Sequence, residues 1–159
     1  MTALLTELKT RGRLELNAAR RADAGSALKL RDCLNHAARD VGFSNWEHGR
    51  RVLTGEAAAG DDMGTFWHSP SCNVLLNAWF ARHDEARSAL AAARGGYLLP
   101  YRRQFVVVQG EFIRELGLDP ADPGWDEAQR DLVQAYGSAA WLALALRRLK
   151  APRPSFAAR

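Results

Sequence analysis

Residues 26–53 read SALKLRDCLNHAARDVGFSNWEHGRRVL, and their periodicity decides the fold class. Leu30, Leu34, Ala37 and Val41 fall on one face, while Lys29, Asp32, His36 and Arg39 occupy the other. This 3.6-residue spacing predicts an amphipathic helix over 27–40, with Ser26 as its N-cap. Gly42 can adopt the left-handed conformation that ends a helix. Phe43 follows, and Ser44 is placed to cap a second short helix over 45–54 that presents Trp46, Gly49 and Leu53.

Working outward, Leu4, Leu5, Leu8, Leu14 and Leu16 predict a helix over 3–21, broken or frayed near Gly12 because glycine costs about 1 kcal/mol relative to alanine in a helix. Residues 55–65, GEAAAGDDMGT, hold three glycines and two adjacent aspartates, so 56–65 reads as a loop or linker. Beyond it, Ser69-Pro70 opens a run in which Cys72, Leu75, Leu76, Trp79 and Phe80 keep helical spacing. A helix over 70–82 is the preferred reading, and a short strand competes with it. EARSALAAAR predicts a helix over 85–94, ended by Gly95-Gly96. Tyr97–Leu99 and Phe105–Val108 are β-prone runs around Pro100-Tyr101-Arg102-Arg103, which predicts a hairpin over 97–108 with proline in its turn. Further helices are expected over 110–116, over 123–136 with Asp122 as cap, and over 139–150 with Ser138 as cap. The tail 151–159 is expected to be disordered.

The expectation is therefore a mainly α (α+β) protein of six or seven helices with one small β-hairpin. A basic N-terminal helical module would span 1–55, and a Trp-rich helical core 66–150. The 159 residues include five Trp, six Phe and three Tyr, enough for a sizeable core. No apolar run approaches 18 residues and the first 14 carry charges, so neither a membrane span nor a signal peptide is expected. Two cysteines are too few for a disulfide framework, and a cytoplasmic location is the expectation.

Charge is uneven. Residues 1–55 hold ten Lys/Arg against six Asp/Glu, residues 119–140 sum to −4, and residues 141–159 carry five cations and no acid. Nineteen of the 22 basic residues are arginine, which suits bidentate contact with phosphate or carboxylate and also follows from GC-rich coding. Ala38, Val41, Gly42 and Phe43 match the joint of a helix-turn-helix DNA reader. The second helix departs from it, because His48 and Arg51 then fall where core-facing aliphatic residues are needed. Arg20, Arg21, Lys29, Arg39, Arg50 and Arg51 remain candidates for sequence-blind contact with a polyanion. Tyr101, Arg102 and Arg103 add an aromatic side chain beside two cations in the hairpin loop, a combination used on single strands.

Residues 26–53 also resemble the short helical leader of some bacterial glyoxalase-superfamily and ankyrin-repeat proteins, through Ala38, Gly42, Phe43 and Trp46. The resemblance covers 28 of 159 residues and implies an accessory helical module. It carries no catalytic residue, and the rest of the chain lacks the repeated βαβββ pattern of a glyoxalase core.

His68, Cys72 and His83 are the candidates for chemistry. A thiolate near a helix N-terminus is nucleophilic, and a neighbouring histidine could serve it as base. The plain alternative is a buried free cysteine. Asp61, Asp62, His68 and Cys72 are ligand types without a metal-site spacing, so no metal is expected. Phosphate-binding glycine loops, the G-x-S-x-G elbow and H-E-x-x-H are absent, and no cofactor is expected. The preferred function is non-enzymatic binding of a protein or nucleic acid through the basic helical face and the hairpin, with self-association open. An enzyme built on the His68/Cys72/His83 region is the rival.

Overall fold

The computed structural model describes residues 2–153, so part of the tail expectation, from residue 154 on, lies outside the described residues. The architecture is mainly α with a small antiparallel sheet. Seven α-helices are present among the described residues. The chain forms two compact units that part between Phe66 and Trp67.

The first unit holds α1 (Ala3–Ala22), α2 (Leu30–Asp40) and α3 (Trp46–Leu53). Helix α1 runs unbroken through Gly12, contrary to the expected break. A Cβ at Gly12 would lie 2.9 Å from Leu34 Cδ2 and 3.4 Å from the Leu34 backbone nitrogen. Close approach of α1 and α2 outweighs the poor helix propensity of glycine there. Helix α2 starts at Leu30, later than expected, because Ser26 accepts from the Leu28 amide in a local turn. Its buried face is Cys33, Ala37 and Ala38, with Val41 beyond, whereas Leu30 lies exposed. Asn45, rather than Ser44, caps α3 by accepting from the His48 amide.

Residues 56–65 are tied to the first unit. His48 Nδ1 accepts from the Ser44 amide at 3.1 Å, which leaves Nε2 to donate to the Asp62 carbonyl at 2.7 Å. The Thr65 amide donates to the Gly42 carbonyl at 2.8 Å, and Phe66 stacks on Phe43 with ring centroids 5.7 Å apart.

The second unit holds a 3₁₀ turn (Pro70–Val74), β1 (Ala78–Phe80), α4 (His83–Ala92), β2 (Tyr97–Tyr101), β3 (Gln104–Val108), α5 (Gly110–Glu115), α6 (Pro123–Glu127) and α7 (Ala139–Lys150). The expected helix over 70–82 is corrected to that turn followed by an edge strand. The expected hairpin is present, but its turn is Arg102-Arg103, with Arg102 at φ 52, and Pro100 lies inside β2. The sheet order is β1-β3-β2, all antiparallel. Leu98, Val107, Phe105 and Phe80 point to one face, where they pack with Ala86, Ala89 and Leu90 of α4 and with Ala93 just after it. Leu99 and Val106, on the opposite face by strand alternation, are buried as well.

The helix expected over 123–136 stops at Glu127. Gln129 and Arg130 turn left-handed, at φ 55 and 56. The chain then runs beside β2: the Leu98 amide donates to the Arg130 carbonyl at 2.7 Å, and the Leu132 amide to the Leu98 carbonyl at 2.9 Å. Asp131 is thus a buried acid between these bonds. Helix α7 matches its expected bounds and its Ser138 cap, and it buries Trp141, Leu144, Ala145 and Leu149.

Candidate binding surface

The two edges of the sheet differ. Tyr101 and Gln104 close the hairpin across a two-residue turn, so Gln104 directs its backbone groups toward β2. By alternation Phe105 and Val107 direct theirs toward β1, pairing with Phe80 and Ala78. Trp79, between them, directs its N–H and C=O away from the sheet, to the open edge. On the far side the same alternation turns Leu98 and Pro100 outward. There Leu98 is bonded through both groups to the 130–132 segment, and Pro100 has no N–H to leave unpaired. One edge is closed and the other, at β1, is open.

The open edge is apolar. Val74 is 86%, Leu76 98% and Trp79 44% exposed, although helical spacing had placed Leu76 and Trp79 toward a core. No charged residue occurs from Pro70 to Ala81. Edge strands are ordinarily blunted by shortness, lysine, proline or a bulge; Ala78–Phe80 is short, at three residues, but carries none of the other three. Behind it runs an aromatic row. Trp79 meets Tyr101 edge-on at 5.1 Å, Tyr101 meets His68 at 5.0 Å, and the Arg102 guanidinium lies 5.7 Å from the Tyr101 ring centre. Sequence reasoning held a strand here only as the competitor to a helix over 70–82 and so missed this surface, because the pairing between β1 and β3 that decides it is not local.

No protein-family model, curated protein or solved structure matches the chain.

The expected basic face is divided. Arg50 pairs with Glu47 at 2.6 Å and with Glu56 at 3.1 Å, and Arg51 pairs with Asp61 at 2.8 Å. Arg50 holds the Glu47 carboxyl below the usual carboxylate range, and the two carboxylates raise the guanidinium in turn. Arg39 Nε donates to the Ser44 carbonyl at 3.2 Å. Arg20 and Arg21, in the last turn of α1, and Lys29, just before α2, are exposed and have no carboxylate partner among the described residues. With the loop acids included, residues 1–66 hold ten Lys/Arg against nine Asp/Glu. Arg102 and Arg103 are exposed at the hairpin tip, beside the half-buried Tyr101.

His68, Cys72 and His83 do not assemble as a nucleophile and its base. Cys72 is buried in the 3₁₀ turn, and burial pushes its thiol up. Beside it Arg148 is 2% exposed, donates to the Leu116 carbonyl at 2.8 Å and to the His68 carbonyl at 3.0 Å, and is lowered by burial to about 10. Half-burial lowers His68 as well, against a hydrogen bond with Asn73. His83 bonds elsewhere, to Asp131 at 3.0 Å. Cys33 is also buried, with its thiol pushed up by desolvation. No group of three or more His, Cys, Asp or Glu side chains among the described residues is placed to hold a metal ion. No described helix is long and apolar enough to cross a membrane. With a thiol reagent near neutral pH, the native protein is expected to react at neither cysteine, and the unfolded chain at both. Rapid native labelling of Cys72 would contradict this burial.

Proposed function

We propose that the protein is a non-enzymatic binding protein whose partner is another polypeptide, taken on the open β1 edge. The observation that carries this reading is the uncharged segment Val74–Phe80, with Val74, Leu76 and Trp79 exposed and the Trp79 backbone groups directed outward. An extended partner strand gains main-chain hydrogen bonds at such an edge, and exposed apolar side chains beside it add affinity. The aromatic row of His68, Tyr101 and Trp79 backs the same edge, and Arg102 with Arg103 gives it a cationic rim. A polypeptide partner is favoured over nucleic acid because Arg50 and Arg51 are spent on Glu47, Glu56 and Asp61. In this reading residues 26–53 remain an accessory helical module.

The test is site-specific photo-crosslinking in the producing cell. A photoreactive residue replaces Leu76, and the control replaces Arg94, which is exposed away from this edge. Position 76 is expected to give a discrete protein adduct above 17.6 kDa that position 94 does not. Equal labelling from both positions, a nuclease-sensitive adduct, or no adduct from 76 would contradict the reading.

A further inference from the structure

We infer that the occupant of the open edge is a second copy of this chain, its β1 running antiparallel to the first across a two-fold axis. The inference rests on the reading of β1 as the contact surface and names the partner. Pairing β1 with itself joins two three-stranded sheets into one of six strands, with the N–H and C=O of each Trp79 brought into the new ladder.

Three observations favour a like copy. First, a two-fold axis brings a segment against its own copy, so any charge in it would be desolvated against apolar side chains or set beside its own sign near the axis. Residues 70–81 have none. Second, closure is built in. Pairing uses up both β1 edges, and the outer edges left at the ends of the six-stranded sheet are those of β2. There Leu98 is already bonded to residues 130–132 and Pro100 offers no N–H, so growth stops at two. Third, the area allows it. Val74, Leu76 and Trp79 at their observed exposures, with the strand backbone, offer at most about 500 Å² per copy, or roughly 1,000 Å² for the pair. That lies just below the range of stable complexes, so the pair forms and parts with concentration.

Analytical ultracentrifugation of the full chain tests this. The mean mass is expected to rise from 17.6 kDa near ~1 µM to twice that value by several hundred µM, and to go no higher. Leu76→Glu puts a charge into the pair at a side chain that is 98% exposed, so the fold is retained by circular dichroism while the mass stays at 17.6 kDa throughout. Amide exchange gives a second readout: the Trp79 amide exchanges at least tenfold more slowly in concentrated than in dilute wild-type protein, and Leu76→Glu removes the difference. A wild-type mass fixed at 17.6 kDa overturns the inference, as does a doubling that Leu76→Glu leaves intact or that leaves Trp79 exchange unchanged. A monomer that still crosslinks from position 76 to a different protein sinks the second copy while leaving the edge as the contact surface.

Discussion

Replacing Gly42 by alanine is expected to lower stability by about 3 kcal/mol or more and the thermal midpoint of the first unit by on the order of 10 °C. Two effects add at this position. Its φ of 102° is one that residues with a Cβ rarely adopt. The added Cβ would also lie 2.7 Å from the Phe66 nitrogen and 2.7 Å from the Thr65 carbonyl carbon, which are backbone atoms that cannot turn aside. The strand of chain displaced is the one that carries the Thr65–Gly42 hydrogen bond and the Phe43–Phe66 stack. Gly64→Ala should cost at least as much, since its Cβ would approach the Gly42 carbonyl oxygen to 2.5 Å at φ 67. Gly60→Ala is the control. Its φ is 87° but nothing lies within 4 Å, so only the backbone term of about 1 kcal/mol remains. Urea unfolding followed by circular dichroism separates the three. A Gly42→Ala midpoint equal to that of Gly60→Ala would show that the loop does not pack against the α2–α3 turn.

Asp131→Ala is expected to cost the second unit about 3–4 kcal/mol. The Asp131 side chain is buried, and its Oδ1 accepts from the Val133 amide at 3.0 Å and the Gln134 amide at 2.9 Å. Its Oδ2 accepts from His83 Nε2 at 3.0 Å, with Arg87 Nε 3.7 Å away. Removing the carboxylate strands two amides and the imidazole at once, beside the bonds that close the β2 edge. Asp131→Asn keeps one oxygen for the two amides but turns an NH₂ or a neutral oxygen toward His83, so roughly 1–2 kcal/mol is lost. His83→Ala removes only the partly exposed partner and should cost less than Asp131→Ala. If His83→Ala and Asp131→Ala cost the same, the His83–Asp131 hydrogen bond dominates and the backbone bonds contribute little.

These two sites show what the residues made legible and what they did not. Helix α7 was readable because its cap and its apolar spacing are both local. The 97–108 hairpin was readable because its two β-prone runs flank a short polar turn. At Gly12 propensity pointed to a break, yet contact with Leu34, some twenty residues away, keeps the helix continuous. Over 128–136 the apolar spacing of Ala128, Leu132 and Tyr136 suits a helix equally well. Hydrogen bonds to Leu98 and the burial of Asp131 decide otherwise, and neither is local. The segment 70–82 failed for a related reason. CNVLLNAWF is too short for its period to separate a helix from a strand, and only pairing with Phe105–Val107 settles it. The arginines of the candidate basic face were readable as residues. Their neutralisation by Glu56 and Asp61 was not, because it depends on the return of the 56–65 loop.

The claim that a free strand edge is the contact surface is tested most directly by the backbone amides of residues 78–80 in dilute protein, followed by NMR-detected exchange with heavy water. Ala78 and Phe80, bonded inward to β3, should exchange slowly, and Trp79, facing outward between them, should exchange fast. Uniformly slow exchange across the three would mean that the edge is already covered. Helical chemical shifts through residues 70–82 would mean that the edge does not exist.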